Sequence, residues 1–227
     1  MKESGKLFYL LICLFFILFV YPFVEQSVLS GKILVFFFTL VLASATFAVS
    51  TYKRVNFVVA LALAVPTSIL IWADELLDNQ VVEILSFSFM MVFSFFAVIC
   101  IVSHIMSAKK VTRDILAGGV SAYLLIGISW GMLYALLECV HPGSFVINSA
   151  LESGALDKWS TFNYYSFTTL TTLGYGDITA LSIHAQSFAI LEAVTGVLFI
   201  AVLISRLVGM YLYQIKEGNA VINEDKM

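Results

Sequence analysis

Six long apolar runs alternate with short polar stretches along the chain, at about positions 7–24, 32–50, 55–73, 82–107, 115–139 and 183–213. Crossing about 30 Å of hydrocarbon takes roughly 20 helical residues, so each run is read as a membrane-spanning helix. The first run follows Lys2 and Lys6 in the manner of a secretory leader. It is too long for one and ends in Tyr21-Pro22-Phe23 rather than at a small-residue cleavage site, so it is kept as a helix. Between the fifth and sixth runs, residues 160–171 form a segment too short to span. It reads as a re-entrant helix, which a membrane tolerates only where protein buries it or water lines it. Ser160 or Thr161 is positioned to cap its start, and its C-terminal, negative dipole end would then face a waiting cation.

Composition agrees with this pattern: 61% of the 227 residues are hydrophobic and only 12% are charged, which excludes a soluble domain for most of the chain. If the six helices alternate, Lys2, Lys6, Lys53, Arg54, Lys109, Lys110, Arg113 and Lys216 gather on one side. The positive-inside rule makes that side cytoplasmic, with both termini inside. The opposite loops hold Glu25, Asp74, Glu75, Asp78, Glu152 and Asp157, with Lys32 and Lys158. Such an acidic surface either raises the local cation concentration or is an ordinary solvated face. His141 and His184 also fall on this side, as pH-sensitive groups or as ordinary interface residues. Cys13, Cys100 and Cys139 have neither metal-ligand nor disulfide spacing. No nucleophile with a base, phosphate loop or paired metal-binding histidines stands out, so neither an enzyme nor a cofactor nor a nucleic-acid partner is expected.

The chemistry concentrates in Thr171-Thr172-Leu173-Gly174-Tyr175-Gly176-Asp177. A potassium ion leaves water only where oxygens replace its hydration shell, and a short backbone with all carbonyls on one axis is a dense source of them. Strands alternate their carbonyls. Turning them to one side takes left-handed residues, which glycine adopts at little steric cost, and Gly174 and Gly176 supply them. The run resembles the selectivity filter of potassium channels, and Tyr164-Tyr165-Ser166-Phe167-Thr168-Thr169-Leu170 resembles the pore helix of that family. The resemblance implies that the carbonyls of Thr172, Leu173, Gly174 and Tyr175, bounded by Gly176, hold K+ as the permeant ion, with the Thr172 hydroxyl as the innermost ring. Leu173 stands where many members have valine. Tyr175 would point away and be braced by aromatics such as Tyr164 and Tyr165.

Asp177 would face the external mouth. Where some members place glutamate and tryptophan bonded to that aspartate, this chain has Thr168 and Tyr165. Tyr165 is therefore expected to donate to Asp177, with Thr168 and Thr171 as neighbouring filter support. Glu192, an acid deep in the last helix, is read as a hydrogen-bonding group behind the filter, with Thr168, Thr169 or a filter amide as its partner. Gly196 matches the hinge glycine of the family's inner helix and reads equally as a packing site. Val197, Ile200, Ile204 and Val208 then share one stripe, either an apolar gate that closes by dewetting or a lipid- or protein-facing surface. Gly127 and Gly131 would let the fifth helix approach another, expected to be the inner helix. Arg206 reads as snorkelling to the headgroups, and Lys109, Lys110 and Arg113 as a topological anchor.

The resemblance extends to a six-helix subunit, but the fourth helix lacks gating arginines, with no Lys or Arg between Glu83 and His104. One charge moved across 100 mV yields only about 2.3 kcal/mol, so an uncharged helix implies weak voltage dependence at most. The expectation is an all-α membrane protein in two parts. Residues 1–110 form a four-helix domain in the voltage-sensor position, and residues 111–227 a pore domain with a short cytoplasmic tail. One filter per chain requires a ring of copies, and the family's solution is a homotetramer. The expected function is passive potassium conduction across the plasma membrane, among lipid partners. A non-conducting subunit or adaptor that keeps the pore-like fold is the alternative.

Overall fold

The computed structural model describes residues 5–20, 23, 30–50, 54–77, 79–147 and 158–224. Lys2, Tyr21, Pro22, Glu25, Lys53, Asp78, Glu152 and Asp157 lie outside them. The described elements are α1 (Lys6–Phe15, continued by a π-helical turn Phe16–Val20), α2 (Ser30–Val49), α3 (Arg54–Leu77), α4 (Gln80–Ser107) and α5 (Arg113–Val140). They continue with β1 (Phe145–Ile147), α6 (Lys158–Leu170), β2 (Ile178–Ala180) and α7 (Ile183–Glu224). Five of these helices are long and apolar enough to cross a membrane, while the first apolar helix, Lys6–Phe19, is shorter within the described residues.

Helix α5 is the axis of the fold. It is apolar nearly all round, and a helix of that kind is buried; 72% of its most apolar window lies inside the chain, against 11% for α7. Its glycines are where neighbours dock. A Cβ on Gly118 would meet Leu7 of α1 at 2.7 Å, and one on Gly119 would meet Leu203 of α7 at 3.0 Å. One on Gly127 would meet the Phe167 ring at 2.6 Å, and one on Gly131 the Asn163 backbone at 3.1 Å, both in α6. The Gly127/Gly131 pair thus seats α6, not the last long helix α7 expected from the sequence. Helix α4 packs along α5 of its own chain, joined to it by the link 108–112.

Polar contacts sort the helix ends into two groups. At one end, Asp114 in the first turn of α5 accepts from the Leu7 and Phe8 amides at 3.0 and 3.3 Å, capping α1, and Lys6 Nζ donates to Ser50 Oγ at the end of α2 at 3.3 Å. The Arg206 guanidinium of α7 donates to the Met106 and Ala108 carbonyls at 2.7 and 2.8 Å. Gln214 accepts from the Val111 amide at 3.0 Å. Arg206 therefore satisfies carbonyls left open where α4 ends rather than snorkelling. At the other end, Lys158 pairs with Glu83 at 2.7 Å and contacts Cys139 Sγ at 3.4 Å. These contacts gather the starts of α4 and α6 with the end of α5. The starts of α1 and α5 share one end and the starts of α4 and α6 the other.

Candidate filter and the groups behind it

Helix α6 starts at Lys158, so Ser160 and Thr161 lie within its first turn rather than capping it. Its C-terminus runs into the candidate filter, Thr171–Asp177. The Thr168 carbonyl accepts from the amides of Leu173 at 2.8 Å and Gly174 at 3.1 Å, and the Thr169 carbonyl from Thr172 at 2.9 Å. These bonds occupy carbonyls that a helix end otherwise leaves open. Thr168 supports the run through its backbone, while its hydroxyl turns back to the Tyr165 carbonyl at 2.9 Å. Thr171 does likewise, to the Phe167 carbonyl at 2.7 Å.

Beyond the helix, Thr172, Gly174 and Gly176 have φ of 60°, 55° and 80°. The two glycines behave as their lack of a Cβ permits. Thr172 does not follow that rule: a β-branched residue is a genuine outlier in this region, at about 1–2 kcal/mol, and its side chain gives no sign of it in the sequence. Left-handed residues at every second position cancel the usual alternation of a strand, so the backbone geometry suits a file of carbonyls on one side. Residues Thr171 to Gly176 are all exposed in the single chain. Tyr175, at 67% exposure, is not packed behind the run by Tyr165.

The Asp177 end of the run is held by two devices. Asp177 accepts from the Tyr164 hydroxyl at 2.5 Å and from the Ile178 amide at 3.0 Å. Tyr164 thus takes the role the sequence assigned to Tyr165, which is buried and lies edge-on to Tyr134 and Phe145, with ring centroids 5.0 and 5.2 Å away. The second device is an antiparallel pairing of β1 with β2, Phe145 opposite Ala180 and Ile147 opposite Ile178. It ties the residue after Asp177 to the turn that follows α5. The Glu138 carboxylate holds that turn by accepting from the Gly143 and Ser144 amides at 2.7 and 3.0 Å. Phe145-Val146-Ile147 and Ile178-Thr179 carry the β-branched and aromatic signal of strands, though three residues each is too short to stand out. His141 and His184, drawn together by the same closure, stack with ring centroids 6.4 Å apart.

Behind α6, Glu192 of α7 is fully buried. Its Oε2 accepts from the Tyr134 hydroxyl at 2.6 Å, and its Oε1 lies 2.5 Å from Ser166 Oγ. Its partners are thus Ser166 and Tyr134 rather than Thr168, Thr169 or a filter amide. Four residues on, a Cβ at Gly196 would fall 2.2 Å from the Leu170 carbonyl oxygen. Helix α7 runs unbroken through this point, so in this structure Gly196 is a packing contact rather than a bend.

Residues 121–213 match the model of a family described as an ion channel. The match supports an ion channel family for this part of the chain, and with the apolar helices it supports an integral membrane protein. It takes in α6, the Thr171–Asp177 run, Glu192 and Gly196 and leaves out α1 to α4. No curated protein and no solved structure matches the chain. Within the matched stretch of α7, Val197, Ile200, Ile204 and Val208 are all exposed in the single chain, at 43–56%. An apolar cavity of about 320 Å³ lies between α4 and α7, lined by Val102, Ile105, Met106, Leu198, Phe199 and Val202 among others.

Proposed function

We propose that this chain is one subunit of a homotetrameric channel that conducts K+ passively and selectively across the plasma membrane. The observation that carries the reading is the left-handed backbone at Thr172, Gly174 and Gly176 within the Thr171–Asp177 run. Strain in a β-branched residue persists only where the surroundings over-determine it, and it concentrates at functional sites. Carbonyls of Thr172, Leu173, Gly174 and Tyr175, with the Thr172 hydroxyl, replace the hydration shell of a dehydrated ion. Four copies arranged about one axis supply ligands from all sides, and the exposure of this run in the single chain fits a face reserved for other copies. The stripe Val197, Ile200, Ile204 and Val208 lines the inner vestibule and narrows to a dewetting gate at its lower end.

The end that carries Lys6, Arg54, Lys109, Lys110 and Arg113 is cytoplasmic by the positive-inside rule, so Asp177 faces outside. Residues 1–110 act as a structural collar in contact with lipid. Helix α4 has no Lys or Arg along its length, so steep voltage gating is not part of the mechanism. Purified protein in liposomes under a potassium gradient tests the reading. Potassium flux far above sodium flux, blocked by barium, is the expected result. Folded protein that passes neither ion, or both equally, would overturn it, and the first of these outcomes would favour a non-conducting subunit or adaptor.

A further inference from the structure

Glu192 has no exposed surface, and the protons around it can be counted one by one. Ser166 Oγ lies 2.5 Å from Glu192 Oε1 and 2.7 Å from the Gly127 carbonyl oxygen. A hydroxyl has one proton to donate, and a carbonyl oxygen has none. The Gly127 contact therefore takes the Ser166 proton, and the contact to Glu192 needs a proton from the carboxyl itself. An ionised carboxylate only accepts, and would leave one of the two Ser166 contacts as facing lone pairs.

We infer that Glu192 is a neutral carboxylic acid, a positioning residue that donates its proton to Ser166. Together they form a relay from the Tyr134 hydroxyl through Glu192 and Ser166 to the Gly127 carbonyl. The relay uses each donor once and fastens α5, α6 and α7 to one another. The surroundings favour the neutral form, because a buried charge needs a partner of opposite sign. Among the described residues Glu192 joins no ion pair. Among the described residues, the ionisable side chains facing it are the tyrosines Tyr134 and Tyr123 of α5 and Tyr165 of α6. Ser166 stands two residues before Thr168, whose carbonyl receives the Leu173 and Gly174 amides. Holding Ser166 therefore sets the depth and rotation of the helix end from which the filter run hangs. That consequence rests on the channel reading, whereas the proton itself does not.

Glutamine separates the two protonation states. In Glu192→Gln the amide oxygen accepts from Tyr134 and the amide N–H donates to Ser166, which reproduces the acid and not the carboxylate. Infrared spectra of the purified protein in liposomes should contain a protonated-carboxyl C=O band that Glu192→Gln removes. Thermal stability should be kept in Glu192→Gln and lost in Glu192→Ala. Ser166→Ala should shift the band by removing the acceptor of that proton. A spectrum with no such band to lose, or a Glu192→Gln protein as unstable as Glu192→Ala, would overturn the inference. These readouts need no ion flux, so a failure of the channel reading and a failure of the relay are told apart.

Discussion

Gly196→Ala is the sharpest test of how α7 meets α6. The added Cβ would fall 2.2 Å from the Leu170 carbonyl oxygen, 2.9 Å from Leu170 Cδ1 and 3.1 Å from the Leu170 carbonyl carbon. Carbon and oxygen approach to about 3.3 Å at the closest, so α7 and α6 must separate by about 1 Å. The obstructing atom belongs to the backbone and cannot rotate away. Overpacking of this kind destabilises by about 1–3 kcal/mol, and a backbone obstacle places it at the upper end. Alanine returns about 1 kcal/mol of helix propensity over glycine, which leaves a net loss of about 2 kcal/mol. For a chain of this size that corresponds to a melting shift of roughly 4–8 °C. Gly209 on the same helix is the control, because a Cβ there meets nothing within 4 Å among the described residues of the chain, so Gly209→Ala retains the propensity gain and melts a few degrees higher. Thermal unfolding in detergent, followed by circular dichroism, reads both shifts. Leu170 leads directly into Thr171, so Gly196→Ala should also reduce potassium flux. If Gly196→Ala instead melts at or above the parent temperature and only slows opening, Gly196 is a hinge and the packing argument is wrong.

Three further outcomes follow from the geometry. Tyr164→Phe should alter inactivation or ion selectivity, and Tyr165→Phe should leave both unchanged, because only Tyr164 reaches Asp177; recordings showing the reverse would restore the sequence-based assignment. Arg206→Gln removes a guanidinium shared by two carbonyls. Bonds to charged groups are worth about 1.5–3 kcal/mol where buried and less at this partly exposed site. Amide exchange should accordingly rise in the last turn of α4 and the link 108–112, while protection unchanged from the parent would show that the capping contributes nothing. Thr172→Gly should relieve about 1–2 kcal/mol of left-handed strain against roughly 0.5–1 kcal/mol of added chain entropy. It should melt slightly higher yet conduct poorly for want of the hydroxyl, and a lower melting temperature would mean that the strain is not there.

What could be read from the sequence is what depends on one residue and its neighbours along the chain. Hydrophobic runs declare membrane helices because a stretch of about 20 apolar residues has little alternative. Gly174 and Gly176 announce positive φ because only glycine adopts it cheaply. Glu192 announces a hydrogen bond because an acid in a membrane helix must find one. Thr172 escaped that logic: its left-handed φ continues an alternation started by the glycines, and its own side chain argues against it.

Partner identity is a different kind of information. Successive residues of a helix point about 100° apart, so assigning Tyr164 or Tyr165 to Asp177 requires the rotation of α6 about its axis. Periodicity usually supplies such a rotation by marking a buried face. Helix α6 has polar residues on all sides, and α5 is apolar on nearly all of them, so neither pattern marks one. The rotation of α6 is instead set by Gly127 and Gly131, whose missing side chains admit Phe167 and Asn163, and by Ser166, held between the Gly127 carbonyl and Glu192. Once those contacts orient the helix, Tyr165 turns inward against Tyr134, Tyr164 turns toward Asp177, and Leu170 is pressed against Gly196. The candidate filter stands out in seven residues, but its support behind α6 depends on glycines, a serine and an acid spread from position 127 to 196. It follows that Gly127→Ala and Gly131→Ala should disturb the same Tyr164–Asp177 contact as a direct change at Ser166, although no residue of the filter is touched.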